Sequence, residues 1–126
     1  MTLNDPTVLA EVTAAFQAYE AALMSNDIAE LDRLFWDAAQ TVRYGPGENL
    51  YGHDEIAAFR RARPGGSPRR KLTRTVITTF GADYATANTE FIRDGATGVG
   101  RQSQTWMRTP DGWRIVSAHV SIMAGA

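Results

Sequence analysis

The chain has 126 residues, a formal net charge of −1 and no cysteine. This length fits one domain with its own core and is too short for two. Without cysteine, disulfides and thiolate chemistry are excluded, which is compatible with a reducing cytoplasm. The small net charge gives no reason to expect a nucleic-acid or membrane partner. The sequence lacks a signal peptide and a membrane-length apolar run, so we expect one soluble, cytoplasmic domain over residues 1–126.

Helical spacing of apolar residues marks the first part of the chain. Asn4 or Asp5 can cap a first helix, and Pro6 suits its first turn. Its apolar stripe consists of Val8, Leu9, Val12, Phe16, Tyr19, Ala22 and Leu23. The segment 25–27 breaks this helix and caps a second one, whose apolar face is Ile28, Leu31, Leu34 and Phe35. A third helix is predicted at about 54–62, after a short strand at 41–44 and a loop.

The periodicity changes to two after the helix-ending segment RPGGSP at 63–68. Four strands are predicted, at 70–80, 84–93, 100–108 and 113–122. Helices followed by strands indicate an α+β fold, in which the three helices pack on one face of a strongly curved antiparallel sheet. Such a cone is closed at one end and leaves a pocket at the other.

Alternation along the last two strands predicts which side chains face the helices. For the last strand we assign to the covered face Arg114, Val116, Ala118, Val120 and Ile122. Its outer face then carries Trp113, Ile115, Ser117, His119 and Ser121. A single bulge would reverse this parity. In the preceding strand, Gln102, Gln104 and Trp106 share a face, and glutamines on a covered face must be paired or meet a ligand.

Three side chains are candidates for either a structural or a chemical role. Tyr19 lies on the apolar stripe, so its hydroxyl points inward, either as a satisfied core group or as a donor in a site. Arg43 is a charged residue in a strand, either solvated, or paired with an acid such as Glu90, or placed to bind an anion. Gln104 either fills the sheet or contacts a ligand.

Other residue patterns favour simpler interpretations. His119 stands beside two serines, but no nucleophile elbow or acid accompanies it, which argues against a catalytic triad. His53 and His119 lack a flanking pair of carboxylates, so we expect no metal site. We interpret as a solvated edge, rather than a nucleic-acid surface, the basic residues Arg60, Arg61, Arg63, Arg69, Arg70, Lys71 and Arg74.

The sequence resembles the NTF2-like superfamily, in its SnoaL-like and ketosteroid-isomerase-like branch. The resemblance rests on the order of elements and on the segments FQAYEAALMSNDIAELDRLFW, TVRYG and DGWRIVSAHVS. More narrowly, the AtzH-like group, which includes HpxZ of oxalurate catabolism, is similar in TVRYGPGENLYG, RTVITTF, ATANTEF and GRQSQTWMR. The genes of that group accompany amidases that degrade ureido acids and cyanuric-acid products.

This resemblance implies roles for particular residues. Tyr19 matches the tyrosine that stabilises an oxyanion in ketosteroid isomerases, whereas Arg43 and Gln104 replace their two aspartic acids. Arginine stays protonated and cannot act as a general base, so steroid isomerisation is not expected. A cation at this point of the pocket would instead select a carboxylate, which a guanidinium can bind with two hydrogen bonds. We assign catalysis to Tyr19 and Arg43, and substrate contacts to Gln104, Trp106, Phe91 and Tyr44.

Two functional hypotheses follow from the resemblance. The first is an enzyme, free of metal and organic cofactors, that decarboxylates or deaminates a carboxylated urea or amide related to oxalurate or allophanate. The second is a non-catalytic binding protein, or an accessory protein for a partner amidase. A pure dimerisation module is a third alternative. The resemblance also implies a homodimer formed by the open sheet faces, with Thr105, Met107, Ile115, Ser117 and His119 at or near the interface.

Overall fold

The computed structural model describes residues 1–124. It contains three helices and six strands in an α+β arrangement, which confirms the predicted fold class. The helices are α1 (Pro6–Ser25), α2 (Ile28–Leu34) and α3 (His53–Ala62). The strands are β1 (Val42–Tyr44), β2 (Asn49–Tyr51), β3 (Arg70–Phe80), β4 (Tyr84–Arg93), β5 (Gly100–Thr109) and β6 (Gly112–Ile122). Among the described residues, no helix is both long and apolar enough to cross a membrane.

Short polar side chains define the ends of the first two helices. The Asp5 carboxylate accepts a hydrogen bond from the Val8 amide at 3.2 Å, and Pro6 occupies the first turn of α1. Asn26 ends α1 in the left-handed conformation, with φ of 53°. Asp27 then caps α2 by accepting from the Glu30 amide at 3.2 Å. The predicted break between the two helices is therefore confirmed.

The six strands form one sheet in the order β2-β1-β6-β5-β4-β3. Strands β3 to β6 are antiparallel neighbours, as predicted. Strand β1 pairs with β6 in parallel, so the sheet is mixed rather than fully antiparallel. Strand β2 lies within the segment that we predicted as a loop. It pairs with β1 in a hairpin closed by a 2.9 Å hydrogen bond from the Gly45 amide to the Glu48 carbonyl oxygen.

The predicted faces of β6 are wrong for its first half. Trp113 and Ile115 were placed outside but are buried in the core. Ile115 pairs with Trp106 and Ser117 pairs with Thr105, which leaves Val116 as an extra residue without a partner on β5. This bulge reverses the alternation, so that Ala118 and Val120 also face inward, as predicted.

The core lies between the helices and one face of the sheet. From the helices it receives Val8, Val12, Phe16, Tyr19, Ala22, Leu23, Leu31, Leu34 and Ile56, with Phe35 just after α2. From the sheet it receives Ala85, Ala87, Trp106, Trp113, Ile115 and Ala118. The same covered face also carries buried polar side chains. These polar side chains define the candidate site.

Candidate functional site

Arg43 projects from the middle residue of β1 toward the covered face of the sheet and is only 7% exposed. Its Nη1 lies 2.8 Å from Oε2 of Glu48, in the loop between β1 and β2. Its guanidinium carbon lies 5.4 Å from the centroid of the Phe59 ring on α3. The aromatic face and the carboxylate stabilise a cation that is largely removed from water.

Tyr19 lies on the inward face of α1 and is 3% exposed. Its ring packs edge-to-face against Phe35, with 6.2 Å between the ring centroids. The Arg60 guanidinium lies over the same Phe35 ring at 5.5 Å, and Tyr19 opposes the lowering of the Arg60 pKa. Tyr19 and Arg60 of α3, which is itself buried, thus contact the same ring.

Burial and neighbouring positive charges lower the pKa of two arginines in this region. Burial lowers the pKa of Arg60, and the positive charge of Arg43 contributes to the lowering, against opposing effects of Tyr19 and Asp32. Burial also lowers the pKa of Arg63, with further lowering by the charges of Arg43 and Arg60. Arginine nevertheless stays protonated near neutral pH. The charges of Arg43 and Arg60 therefore act against those of their neighbouring guanidinium groups, in addition to the effect of burial.

Two further arginines lie on strands β3 and β4. Arg70 at the start of β3 and Arg93 at the end of β4 are direct cross-strand partners. Their guanidinium carbons lie 4.4 and 5.7 Å from the centroid of the Phe91 ring, which is fully buried. Like charges in such a pair oppose each other. Burial lowers the pKa of Arg93, and the charge of Arg70 lowers it further.

Two buried glutamines on β5 present their amide nitrogens to this face. Trp106 Nε1 donates to Gln104 Oε1 at 3.1 Å, and Arg70 Nη2 donates to Gln102 Oε1 at 2.9 Å. Because both donors require an oxygen acceptor, they fix the orientation of each amide. Within residues 1–124, the Nε2 atoms of Gln102 and Gln104 are buried and have no hydrogen-bond partner. Each is a donor without an acceptor on this face.

The sheet register places these groups in one row. Arg43 on β1 is opposite Ala118 on β6, and Ala118 is opposite Gln104 on β5. Arg43 and Gln104 are thus two strand spacings apart, about 10 Å between their backbones. Ala118, which lies between them, has a short side chain. The row therefore carries a guanidinium at one end and an amide at the other, both on the covered face.

The polar groups of this face are strongly biased toward donors. Five guanidinium groups approach three carboxylates, those of Glu20, Asp32 and Glu48. In the described part of the chain, buried donor atoms without a partner include the Nε atoms of Arg60, Arg63 and Arg93 and the Nε2 atoms of Gln102 and Gln104, whereas Asp32 Oδ1 is a buried acceptor without one. A buried donor without a partner costs about 1–3 kcal/mol. A ligand rich in acceptor oxygens would satisfy several of them at once.

Most of the predicted site residues lie on this face. Tyr19, Phe91, Gln104 and Trp106 are all buried, with Arg43. Tyr44 is not brought to them, because it faces away from Arg43 along β1. Its ring contacts Tyr51 and His119 on the outer side, at centroid distances of 6.0 and 5.6 Å.

Sequence reasoning missed several charged members of the site. The basic segment predicted as a solvated edge contains Arg60 and Arg70, and that interpretation is wrong for both, whose side chains are 5% and 3% exposed. The acid paired with Arg43 is Glu48, whereas Glu90, the acid that we considered, is exposed beside Arg101 on β5. The available signal for Arg60 was its spacing four residues after Ile56 on the apolar side of α3.

A small cluster of other polar groups lies at the start of α3. Potential ligand atoms of Asp37, His53 and Asp54 lie within 4.8 Å of one another, a grouping that the sequence pattern did not predict. His53 Nε2 lies 2.7 Å from the carbonyl oxygen of Asp32 and its Nδ1 lies 3.7 Å from the Asp37 carboxylate. Both carboxylates are exposed, so the cluster by itself assigns no metal.

Comparison with solved structures places the fold in the NTF2-like, or cystatin-like, class. A cystatin-like fold protein from Burkholderia xenovorans LB400 is 50% identical, with a TM-score of 0.95 over 100% of this chain and 99% of that chain. A protein of unknown function from Pectobacterium atrosepticum SCRI1043 is 61% identical, with a TM-score of 0.94 over 97% and 95%. An NTF2-like superfamily protein from Salmonella enterica serovar Typhimurium LT2 is 28% identical, with a TM-score of 0.75 over 95% and 94%.

A family model gives a narrower assignment than the fold class. The model of the AtzH-like family matches residues 1–126, and the chain belongs to the AtzH-like family. A search of curated proteins found no match. The resemblance inferred from the sequence motifs is thus confirmed. The family, the fold and the inward-facing polar groups fit a domain that binds a small molecule or catalyses a reaction on one.

Proposed function

We propose that this protein is a cofactor-independent enzyme that decarboxylates or deaminates a small carboxylated urea or amide related to oxalurate or allophanate. The observation that carries the proposal is the excess of buried donors around Arg43, Arg60 and Gln104. Carboxylate and urea carbonyl oxygens are acceptors of matching type, and a planar guanidinium binds a carboxylate with two parallel hydrogen bonds.

The two catalytic side chains would act on different parts of the substrate. Arg43 would bind and orient the carboxylate, while Tyr19 and the Gln104 amide would donate to the carbonyl oxygen. In decarboxylation of an N-carboxylated urea, the bond from nitrogen to the carboxylate carbon breaks and carbon dioxide leaves. The electron pair passes to the nitrogen and its conjugated carbonyl, where Tyr19 stabilises the developing negative charge. The nitrogen, left with this electron pair, then takes a proton from water, which gives the neutral urea and hydroxide.

The charge on the carboxylate disappears as carbon dioxide forms. Arg43 therefore stabilises the bound substrate at least as well as the transition state, and its contribution is mainly to binding. The oxyanion at the carbonyl grows during the same step, so hydrogen bonds from Tyr19 strengthen toward the transition state.

A binding or accessory role, for example beside a partner amidase, is the alternative. It is favoured by the fact that the carboxylates of Glu20, Asp32 and Glu48 all lie within 4.0 Å of an arginine nitrogen. None of these three stands free as a general base. The same donors would then hold a small acid without converting it.

Turnover separates these two functions. The purified protein is incubated with oxalurate, allophanate, biuret and simple dicarboxylates, and loss of each compound is followed by mass spectrometry. An enzyme consumes at least one ureido acid, and Tyr19→Phe abolishes the loss while binding persists. Thermal stabilisation of the wild type without consumption would instead establish the binding function. If the compounds neither are consumed nor stabilise the protein, the enzyme and the small-acid binder are both excluded, and an accessory role is the better account.

We also propose that the protein is a cytoplasmic homodimer that associates through the outer sheet face. Large apolar side chains are exposed on this face at Val76, Tyr84 and Ile92, of which Val76 is 47% and Tyr84 53% exposed. Ser117 and His119 are exposed on β6 and fit such an interface. Ile115 does not, because it is fully buried in the core.

A further inference from the structure

The loop between β1 and β2 places a carboxylate of the protein itself on the proposed anion site. Glu48 Oε2 lies 2.8 Å from Arg43 Nη1, a distance typical of a charge-assisted hydrogen bond. The Glu48 side chain is 21% exposed, whereas the Arg43 side chain is 9% exposed. The carboxylate therefore reaches the buried cation from the solvent side, as a bound carboxylate ligand would.

The backbone beneath this carboxylate is shaped to receive it. A Cβ atom added at Gly45 would overlap the Glu48 carboxylate and would lie 3.1 Å from Arg43 Nη1. The space that a side chain at Gly45 would fill is thus used by the carboxylate. At Gly47 in the same loop, an added Cβ would meet nothing within 4 Å. The close approach is specific to Gly45, and Gly47 provides a matched control.

Glu48 also lies within electrostatic reach of two other arginines. Burial lowers the pKa of Arg63 and of Arg93, and the negative charge of Glu48 opposes the shift in each. The Glu48 carboxylate thus partly neutralises three guanidinium groups, those of Arg43, Arg63 and Arg93. A substrate carboxylate that reached Arg43 would offer the same compensation and would compete for the same nitrogen atoms.

We propose that Glu48 is an internal competitor, which occupies the Arg43 anion site until a substrate carboxylate displaces it. This inference rests on the proposed function, because it takes Arg43 as the carboxylate-binding group. Internal occupation keeps a buried cation paired between turnovers and excludes anions that bind too weakly to displace Glu48.

The local structure allows such a displacement. Glu48 follows Gly45, Pro46 and Gly47, and the flanking strands β1 and β2 have three residues each. Strand β2 lies at the edge of the sheet, so movement of this loop breaks few contacts. Because only the Glu48-free fraction of the protein binds ligand, the measured Kd exceeds the intrinsic Kd by the reciprocal of that fraction.

The test is calorimetric titration of oxalate into the wild type, Glu48→Gln, Glu48→Ala, Gly45→Ala and Gly47→Ala. Both Glu48 variants remove the competing charge and should bind oxalate about tenfold more tightly than the wild type. Gly45→Ala places a methyl group in the space of the carboxylate beside Arg43, so it should weaken oxalate binding. Gly47→Ala should bind like the wild type.

The outcomes separate this inference from the proposed function. If the wild type binds oxalate and Arg43→Met does not, but Glu48→Gln and Glu48→Ala bind no more tightly than the wild type, the anion site stands and the internal competitor is excluded. Weaker binding in both Glu48 variants would likewise overturn the competitor, because Glu48 would then be holding Arg43 in place for the ligand. Failure of every protein to bind oxalate would overturn the anion site and the competitor together.

Discussion

At the scale of single residues, Arg43 and Tyr19 contribute to different steps. Arg43 binds a charge that is lost in decarboxylation, so Arg43→Met should raise KM by tenfold or more, about the strength of one charge-assisted hydrogen bond, and change kcat less. Steady-state kinetics with the turned-over ureido acid measures both. A fall in kcat with unchanged KM would contradict the binding role.

Tyr19→Phe should show the opposite pattern. Loss of one oxyanion donor should lower kcat by about 10²–10³-fold with little change in affinity. The Tyr19 ring keeps its edge-to-face contact with Phe35 in this variant, so the fold should be retained. The unchanged melting temperature serves as control. A variant with full kcat would exclude Tyr19 from catalysis.

The position of some site residues could be predicted from the sequence, and the position of others could not. Tyr19, Phe91, Gln104 and Trp106 could be placed on the covered face because helical and strand periodicities fix their direction. Arg60 and Arg70 could not be placed there, because an arginine is expected at the surface unless its buried partners are known. Their ring partners, Phe35 and Phe91, are distant in sequence or on another strand.

At the scale of elements, the packing of β4 against β5 supports the arginines. The Phe91 ring lies directly over Gly100, where a Cβ atom would overlap it. Gly100→Ala should therefore destabilise the protein by about 1–3 kcal/mol, as overpacking does, and weaken anion binding by shifting the ring under Arg70 and Arg93. Chemical denaturation with Gly47→Ala as control tests this. Equal stability of the two variants would contradict it.

The element boundaries show why part of the fold could be predicted. Asp5, Asn26 and Asp27 act locally, so the helix ends are readable from the sequence alone. The Val116 bulge depends on which residues of β5 lie opposite, and this pairing is not encoded in the alternation of β6 itself. The three-residue strand β2 is too short to show a period.

At the scale of the whole molecule, we expect the arginine cluster to lower the stability of the fold and to favour the binding of anions. Arg60 is buried among other cations and lies 4.0 Å from Asp32, so removing the cation alone would leave that carboxylate unpaired. Replacing both members of the pair, by Arg60→Met with Asp32→Asn, should raise the free energy of unfolding by on the order of 1 kcal/mol and weaken binding of carboxylates. Arg61→Met, at an exposed position of α3, should change neither. Thermal unfolding with and without oxalate measures both effects, and loss of stability in the double variant would contradict the repulsion account.

The outer sheet face gives a second prediction at this scale. Sedimentation velocity should show a species of about twice the chain mass of 13.8 kDa. His119→Glu would place a charge in each copy of the proposed interface and should yield monomers. Glu55→Gln, on the exposed side of α3, should leave the dimer intact. A wild-type monomer at micromolar concentration would contradict the proposed assembly.

The central claim is that buried Arg43 binds the carboxylate of a small ureido acid. Isothermal titration of oxalurate into the wild type, Arg43→Met and the exposed control Arg61→Met tests it most directly. The wild type and Arg61→Met should bind with the same Kd, and Arg43→Met should bind at least about tenfold more weakly. Equal binding by all three proteins, or no binding by the wild type, would contradict the claim.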